Sequence, residues 1–184
     1  MLTQEQRQQI LTLARQAITE FLLHGLEMQP PGENYLLIPS GAFVTLKIDG
    51  QLRGCIGFPE AIYPLGEAIV RAAIYAATED PRFPNVTADE LKSIDIEVSV
   101  LSPARLIADP SEIVVGEHGL ILTYGHARGL LLPQVPVEWG WDRDQYLKQI
   151  CRKAGVFDEA WRDPRAKIEV FTAEVFGETP SSGE

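Results

Sequence analysis

The dipeptide Asp49-Gly50 constrains the fold of this chain most strongly, because it is a specific signal for a two-residue β-hairpin turn. The flanking runs 43–48 and 51–56 are rich in residues that favour strands. A regular hairpin predicts three facing pairs: Ile48 with Gln51, Leu46 with Arg53, and Val44 with Cys55. Because side chains alternate between the faces of a strand, we expect Arg53 and Cys55 on one face, about 7 Å apart.

Apolar spacing and capping signals predict further elements. Thr3 and Gln6 form a capping box at the start of a first helix, and Gly25 supplies its left-handed stop. The other predicted elements are helices from Pro64 and Asp142, a short helix after Thr87, strands at 94–101, 119–124, 129–132 and 167–176, an extended segment at 133–136, and a helical turn at Trp161. Mixed helices and hairpins predict an α+β fold, a mainly antiparallel sheet with flanking helices.

The length and composition of the chain limit the kinds of function that it can have. The 184 residues suffice for one large domain or two closely packed subdomains. With 16 Lys+Arg and 26 Asp+Glu, the net charge of −10 repels a phosphate backbone, and no local basic patch offsets it. The two distant cysteines fit a reducing cytosol, and no apolar run approaches the ~20 residues that cross a bilayer. We therefore expect a cytoplasmic protein that binds neither nucleic acid nor membrane.

Familiar cofactor signatures are missing from the sequence. The three histidines, His24, His118 and His126, lack metal-ligand spacing, and there is no C-x-x-C pair. The glycines follow neither a phosphate-loop nor a dinucleotide-binding pattern, and no G-x-S-x-G elbow occurs. We therefore expect no metal and no cofactor.

The segment Leu52-Arg53-Gly54-Cys55-Ile56-Gly57 is the strongest candidate for chemistry. Two glycines weaken a strand and often mark a bulge or a close backbone approach. A cysteine beside the Arg53 guanidinium could be a nucleophile, a redox thiol or a substrate anchor, since positive charge favours a thiolate. The structural alternative is a buried cysteine, in which case Arg53 would need a carboxylate partner such as Glu97 or Asp80. Cys151, on an apolar helical stripe, is expected in the core.

Three more residues could contribute, each with a structural alternative. Arg82, in the proline-stiffened segment 80–84, can bind a carboxylate or phosphate with two hydrogen bonds, but it can also pair with Asp80. Glu97 could act as an acid or base, although a solvated sheet face gives the same pattern. His118 is a candidate general base, although a lone histidine is more often structural.

Several motifs occur in an order that carries a family resemblance: LRGCIG at 52–57, DPRF at 80–83, IEVSVLSP at 96–103, LPQVP at 132–136, Cys151-x-x-Ala154-Gly155, and Trp161. On these residues the chain resembles the AMMECR family, whose prokaryotic members are called AmmeMemoRadiSam system protein A. The resemblance implies an AMMECR-type domain at 1–178, made of two interleaved α+β subdomains with a cleft that the LRGCIG strand approaches. Residues 179–184 are expected to form a disordered tail.

The resemblance also implies association with a Memo-type protein and a radical-SAM protein, but no particular reaction. Our leading hypothesis is a small polar or anionic ligand bound in the cleft, with Arg53, Gly54 and Arg82 as binding residues and Cys55 as the reactive or anchoring thiol. The main alternative is a non-catalytic adaptor for the Memo-type partner. A third hypothesis is a hydrolase or transferase with Glu97 or His118 as its base.

Overall fold

The computed structural model describes residues 1–178 and divides them into two units. The first unit runs from Met1 to Leu101 and includes the segment that starts at Glu174, and the second is Ser102–Ala173. The predicted tail at 179–184 lies outside the described residues. Within the described part, no helix combines the length and the apolar character that crossing a membrane requires.

The described residues contain four α-helices and eight strands, which confirms the predicted α+β class. The helices are α1 (Gln4–His24), α2 (Leu65–Thr78), α3 (Gln134–Glu138) and α4 (Arg143–Lys153). The strands are β1 (Ala42–Ile48), β2 (Gln51–Phe58), β3 (Ile94–Leu101), β4 (Arg105–Leu106), β5 (Gly119–Tyr124), β6 (Ala127–Leu131), β7 (Lys167–Phe171) and β8 (Ala173–Gly177).

The first unit is a sheet with the strand order β2-β1-β3-β8, covered by α1 and α2. The helix α2 packs on β1 and β2, while α1 packs on α2 and β3. Local signals set the helix ends as predicted: Thr3 and Gln6 exchange both bonds of the capping box, and Gly25 closes α1 in the left-handed conformation. The core lies between the helices and the sheet and includes Val44 and Leu46.

The second unit is a sheet with the strand order β4-β7-β5-β6, on which α4 packs against β5 and β6. The helix predicted from Asp142 is α4, and Asp142 and Gln145 form its capping box. The fully buried Tyr146 and Leu147 anchor this core. Cys151 is also fully buried, as predicted, and burial raises the pKa of its thiol.

The hairpin of β1 and β2 turns at Asp49-Gly50 as predicted, with φ values of 51° and 74°, but its register differs from the prediction. A β-bulge leaves Arg53 without a facing residue. Two predicted pairs are therefore wrong: Leu46 faces Gly54 and not Arg53, and Cys55 faces Thr45 and not Val44. Because Val44 lies on the core face, the shift moves Cys55 to the outer face of the sheet.

Three other predicted elements also need correction. The segment 133–136 is not extended but forms the start of α3. A helix tolerates proline there, because Pro133 is the N-cap and Pro136 lies in the first turn, where the main-chain amides have no intrahelical partner. The strand β6 starts at Ala127 and not at 129, so its turn with β5 is only two residues long. The single strand predicted at 167–176 breaks at Thr172 into β7 and β8, which belong to different sheets.

Candidate functional site

A row of three side chains crosses the outer face of the first sheet. Thr45 on β1 faces Cys55 on β2 and Glu97 on β3, and facing residues of paired strands share a face. The Thr45 hydroxyl donates a hydrogen bond to the Cys55 sulfur at 3.1 Å. Cys55 is partly exposed. The bulge at Arg53 thus turns this cysteine away from the helices that cover the other face.

The main chain of Cys55 is held by Asp80, which follows α2. β2 lies at the edge of its sheet, and the Cys55 N–H donates to Asp80 Oδ2 at 2.8 Å. The Asp80 carboxylate is almost fully buried, and a buried carboxylate needs strong partners. This contact covers the strand edge and fixes the loop after α2 to the strand that carries Cys55.

Arg82 is the second partner of the buried carboxylate. Its Nε lies 3.0 Å from Asp80 Oδ1 and its Nη2 lies 2.7 Å from Oδ2, a two-pronged ion pair. The Arg82 guanidinium holds the pKa of Asp80 well below its ordinary value; the Cys55 N–H acts in the same direction and burial opposes it. The hydrogen bond to Asp80 also raises the pKa of Arg82, with a smaller contribution from charge on the Cys55 sulfur. The same carboxylate thus binds the Arg82 guanidinium and the main chain of Cys55.

The two arginines of the predicted site differ in what their side chains contact. The Arg82 side chain is 56% exposed, and its pair with Asp80 uses one edge of the guanidinium, so the Nη1–Nη2 edge remains for a ligand. The Arg53 side chain is 14% exposed and makes a two-pronged pair with Glu90 at 2.8 and 3.1 Å. Arg53 also donates to the carbonyl of Pro84 at 2.8 Å. Arg53 thus clamps the segment after α2 to β2, with Glu90 as its carboxylate in place of Glu97 or Asp80.

Both strand glycines mark close approaches. A Cβ on Gly54 would lie 2.1 Å from the carbonyl oxygen of Ala76 in α2. A Cβ on Gly57 would lie 2.4 Å from the carbonyl oxygen of Ala42. The glycines therefore let the helix and the neighbouring strand pack against the main chain of β2, as one of the sequence interpretations proposed.

The two weaker candidates have other partners. Lys47 Nζ lies 2.9 Å from Glu97 Oε2, so this carboxylate is paired on the outer face of the sheet. His118 lies in the second unit, where its Nδ1 accepts a hydrogen bond from the Val114 N–H at 3.1 Å. The hydrogen-bond partner of the Cys55 sulfur is the hydroxyl of Thr45, which is not a base. The geometry therefore favours binding or anchoring over proton abstraction at this cysteine.

Sequence reasoning missed two members of the site. Thr45 escaped because the bulge that brings it opposite Cys55 leaves no local signal in β1. Glu90 lies in the short helix predicted after Thr87 and forms a capping box with Thr87, but its second role toward Arg53 depends on a distant strand. Among the described residues, no group of three or more His, Cys, Asp or Glu side chains could hold a metal ion.

A family model and individual proteins match the chain. The family model AMMECR1 matches residues 11–176. Protein TK0174 of Thermococcus kodakarensis is 48% identical over an alignment of 181 positions, which covers 92% of this chain and 88% of that protein. Protein PH0010 of Pyrococcus horikoshii is 49% identical with the same coverage. A crystal structure described as uncharacterized protein PH0010 from Pyrococcus horikoshii superposes with a TM-score of 0.81 at 47% identity, covering 95% of this chain and 92% of that one.

Proposed function

The chain belongs to the AMMECR1 family, and from that premise we propose that it binds a small anionic ligand, or an anionic group carried by a protein, beside Cys55 and Arg82. In this proposal the chain works with a Memo-type protein and a radical-SAM protein, as its resemblance to the AMMECR family implies. Arg82 supplies the charge, and Cys55 serves as the anchoring or reacting thiol.

One observation carries the proposal: the buried carboxylate of Asp80 binds both the Cys55 main chain and the Arg82 guanidinium. Such a bridge fixes the base of an exposed arginine next to a partly exposed cysteine, and it uses only one edge of the guanidinium. A preorganised cation of this kind favours a carboxylate or phosphate over a neutral ligand. Arg53 has no comparable guanidinium edge open to a ligand, because Glu90 and main-chain carbonyls hold its guanidinium.

Alkylation of Cys55 by two reagents of different charge tests the proposal. Iodoacetate is anionic and iodoacetamide is neutral. The rate with iodoacetate divided by the rate with iodoacetamide, compared with the same ratio for free cysteine, therefore reports the electrostatic potential at the thiol. We expect the ratio at Cys55 to exceed that of free cysteine by about threefold at low salt, and to fall as salt screens the charge. Peptide mapping by mass spectrometry assigns the label to Cys55.

Variants of two matched arginines make the test specific. Arg82→Gln leaves Asp80 uncompensated, so the preference for iodoacetate should vanish or reverse, whereas Arg82→Lys should retain part of it. Arg152→Gln is the control, since Arg152, which lies on α4, makes the same two-pronged pair with Asp158. If the wild-type protein shows no preference for iodoacetate, Arg82 does not act on ligands at Cys55 and the proposal fails.

A second candidate function is that of an adaptor for the Memo-type partner. Exposed apolar side chains of the second unit favour it. Val137 is 62% exposed and Trp139 is 70% exposed, and the Trp139 ring stacks on that of Trp141 with centroids 6.1 Å apart. Exposed aromatic side chains are frequent anchors of protein interfaces. This function predicts that binding of the Memo-type partner survives Cys55→Ala and Arg82→Ala and is lost in Trp139→Ala. Loss of binding in both of the first two variants, with retention in the third, would refute it.

A further inference from the structure

A pocket in the second unit contains none of the residues of the Cys55 site. Its volume is about 420 Å³, within the range of small-molecule sites. One wall follows β4 and includes Ile107, Ala108 and Pro110, and the other is formed by the segment 161–168 that leads into β7. The pocket lies wholly within one unit, and neither Cys55 nor Arg82 contributes to it.

Trp161 lines this pocket with a hydrogen-bond donor that lacks an acceptor. Its indole Nε1 is buried, and it has no hydrogen-bond partner among the residues that the structure describes. A buried N–H without an acceptor is rare in folded proteins, and it costs free energy unless a water or ligand satisfies it. The wall residue Trp161 therefore carries an unsatisfied donor, which an acceptor oxygen that reached it would pair.

Arg162 adds a cation to the same wall. Its guanidinium carbon lies 4.0 Å above the Trp161 ring, and its Nε donates to Glu159 at 2.6 Å. The Arg162 side chain is 61% exposed, and the pair with Glu159 leaves both of its Nη groups for other acceptors. Arg162 thus places a cation beside the indole whose N–H lacks an acceptor.

The one carboxylate of the pocket wall, Asp163, is already neutralised. Arg165 Nη2 lies 2.7 Å from Asp163 Oδ2 and Arg165 Nε lies 2.9 Å from Oδ1, and the Tyr124 hydroxyl donates to Oδ2 at 3.0 Å. These contacts hold the pKa of Asp163 well below its ordinary value, and the contact with Arg165 has the largest effect. The cationic donors that remain for a ligand on this wall are the Nη groups of Arg162, whose Nε is paired with Glu159.

We propose that this pocket binds a small carboxylate, whose oxygens accept hydrogen bonds from the Trp161 indole N–H and the Arg162 guanidinium. A carboxylate satisfies the buried donor and pairs with the cation at once, whereas a neutral amide satisfies only the donor. The hydrophobic side chains of Ile107 and Ile168 then contact the apolar part of the ligand.

Titration of the full-length protein with N-acetylglycine, followed by the indole ¹H–¹⁵N signals, tests this inference. The chain has three tryptophans, so three indole signals are expected, and Trp161→Phe assigns one of them. We expect a saturable shift of the Trp161 signal with half-saturation below roughly 10 mM, while the signals of Trp139 and Trp141 stay in place. N-acetylglycinamide, the neutral analogue, should bind at least about fivefold more weakly.

Arginine variants distinguish the proposed contact between Arg162 and the carboxylate from a general effect of positive charge in the second unit. Arg162→Gln should weaken binding of N-acetylglycine by about fivefold or more, and Arg152→Gln, on α4 of the same unit, should not change it. The inference is overturned if the Trp161 signal does not shift saturably, if the acid and the amide bind equally, or if Arg162→Gln leaves the affinity unchanged. None of these outcomes bears on the Cys55 site.

Discussion

The main-chain N–H of Cys55 and the side-chain carboxylate of Asp80, 25 residues apart, are joined by a hydrogen bond of 2.8 Å at the edge of the first sheet. The same carboxylate forms a two-pronged pair with Arg82. Because Asp80 is almost fully buried, both contacts are shielded from solvent on its side. Asp80 therefore links strand stability to the position of the exposed guanidinium, and its substitution should affect both.

Asp80→Asn should lower the free energy of unfolding by about 1–3 kcal/mol at pH 7, because a charge-assisted pair is lost while an acceptor for the Cys55 N–H remains. Urea unfolding measures the change. Asp49→Asn is the matched control: Asp49 is exposed with a φ of 51°, which asparagine tolerates, so it should change stability by less than about 0.5 kcal/mol. Equal effects of the two substitutions would show that Asp80 contributes no more than a surface carboxylate.

Glu90 predicts a pH dependence of stability. The hydrogen bond from Arg53 lowers the pKa of Glu90 from its ordinary value of 4.5 to about 2. A carboxyl whose pKa is depressed by folding stabilises the protein fully above its unfolded pKa, and this contribution is lost as the pH falls from about 4.5 toward 2. The free energy of unfolding should therefore rise with pH across this range, and Glu90→Gln should flatten the rise.

Glutamine at position 90 preserves the capping box with Thr87, so the variant isolates the ion pair with Arg53. A double-mutant cycle with Arg53→Gln should give a coupling of about 1–3 kcal/mol at pH 7, and the coupling should decline below pH 4. A coupling that is the same at pH 7 and near pH 2 would contradict the assignment of this pH dependence to the Arg53–Glu90 pair.

The parts of the fold that the sequence predicted depend on contacts a few residues apart. The capping box of Thr3 and Gln6 and the positive φ values at Asp49-Gly50 need only their own neighbours. The same is true of the alternation in β3, whose bounds match the predicted strand. These elements follow from local conformational preferences, so they could be read without knowledge of the tertiary structure.

The errors arise where distant residues decide the conformation. The bulge at Arg53 is accompanied by contacts to Pro84 and Glu90, more than 30 residues away, which no pattern in the hairpin announces. Likewise, the break between β7 and β8 is stabilised by hydrogen bonds that Thr172 exchanges with Ser102. The candidate cysteine was therefore found from sequence, but its partners Thr45 and Asp80 required the structure.

Gly54→Ala should destabilise the protein strongly, because its Cβ would lie 2.1 Å from a main-chain oxygen of α2 that cannot move without the helix. We expect a loss of about 3 kcal/mol or more in the free energy of unfolding, or failure to fold. Gly32→Ala is the control, since a Cβ there would meet no atom within 4 Å and should change stability by less than about 1 kcal/mol. A Gly54→Ala protein as stable as the wild type would show that β2 and α2 do not pack this closely.

The two cysteines should differ in reactivity, since Cys55 is partly exposed on the outer face of the sheet and Cys151 is fully buried. In the folded protein, a disulfide reagent such as Ellman's should modify one thiol quickly, and the second at least about 100-fold more slowly, because its modification requires opening of the second unit. Denaturant should make both react. Cys55→Ser should abolish the fast phase and Cys151→Ser should leave it unchanged. A fast phase that persists in Cys55→Ser would mean that Cys151 is reached in the native state, and a wild-type protein without a fast phase would mean that Cys55 is closed to reagents and cannot anchor a ligand.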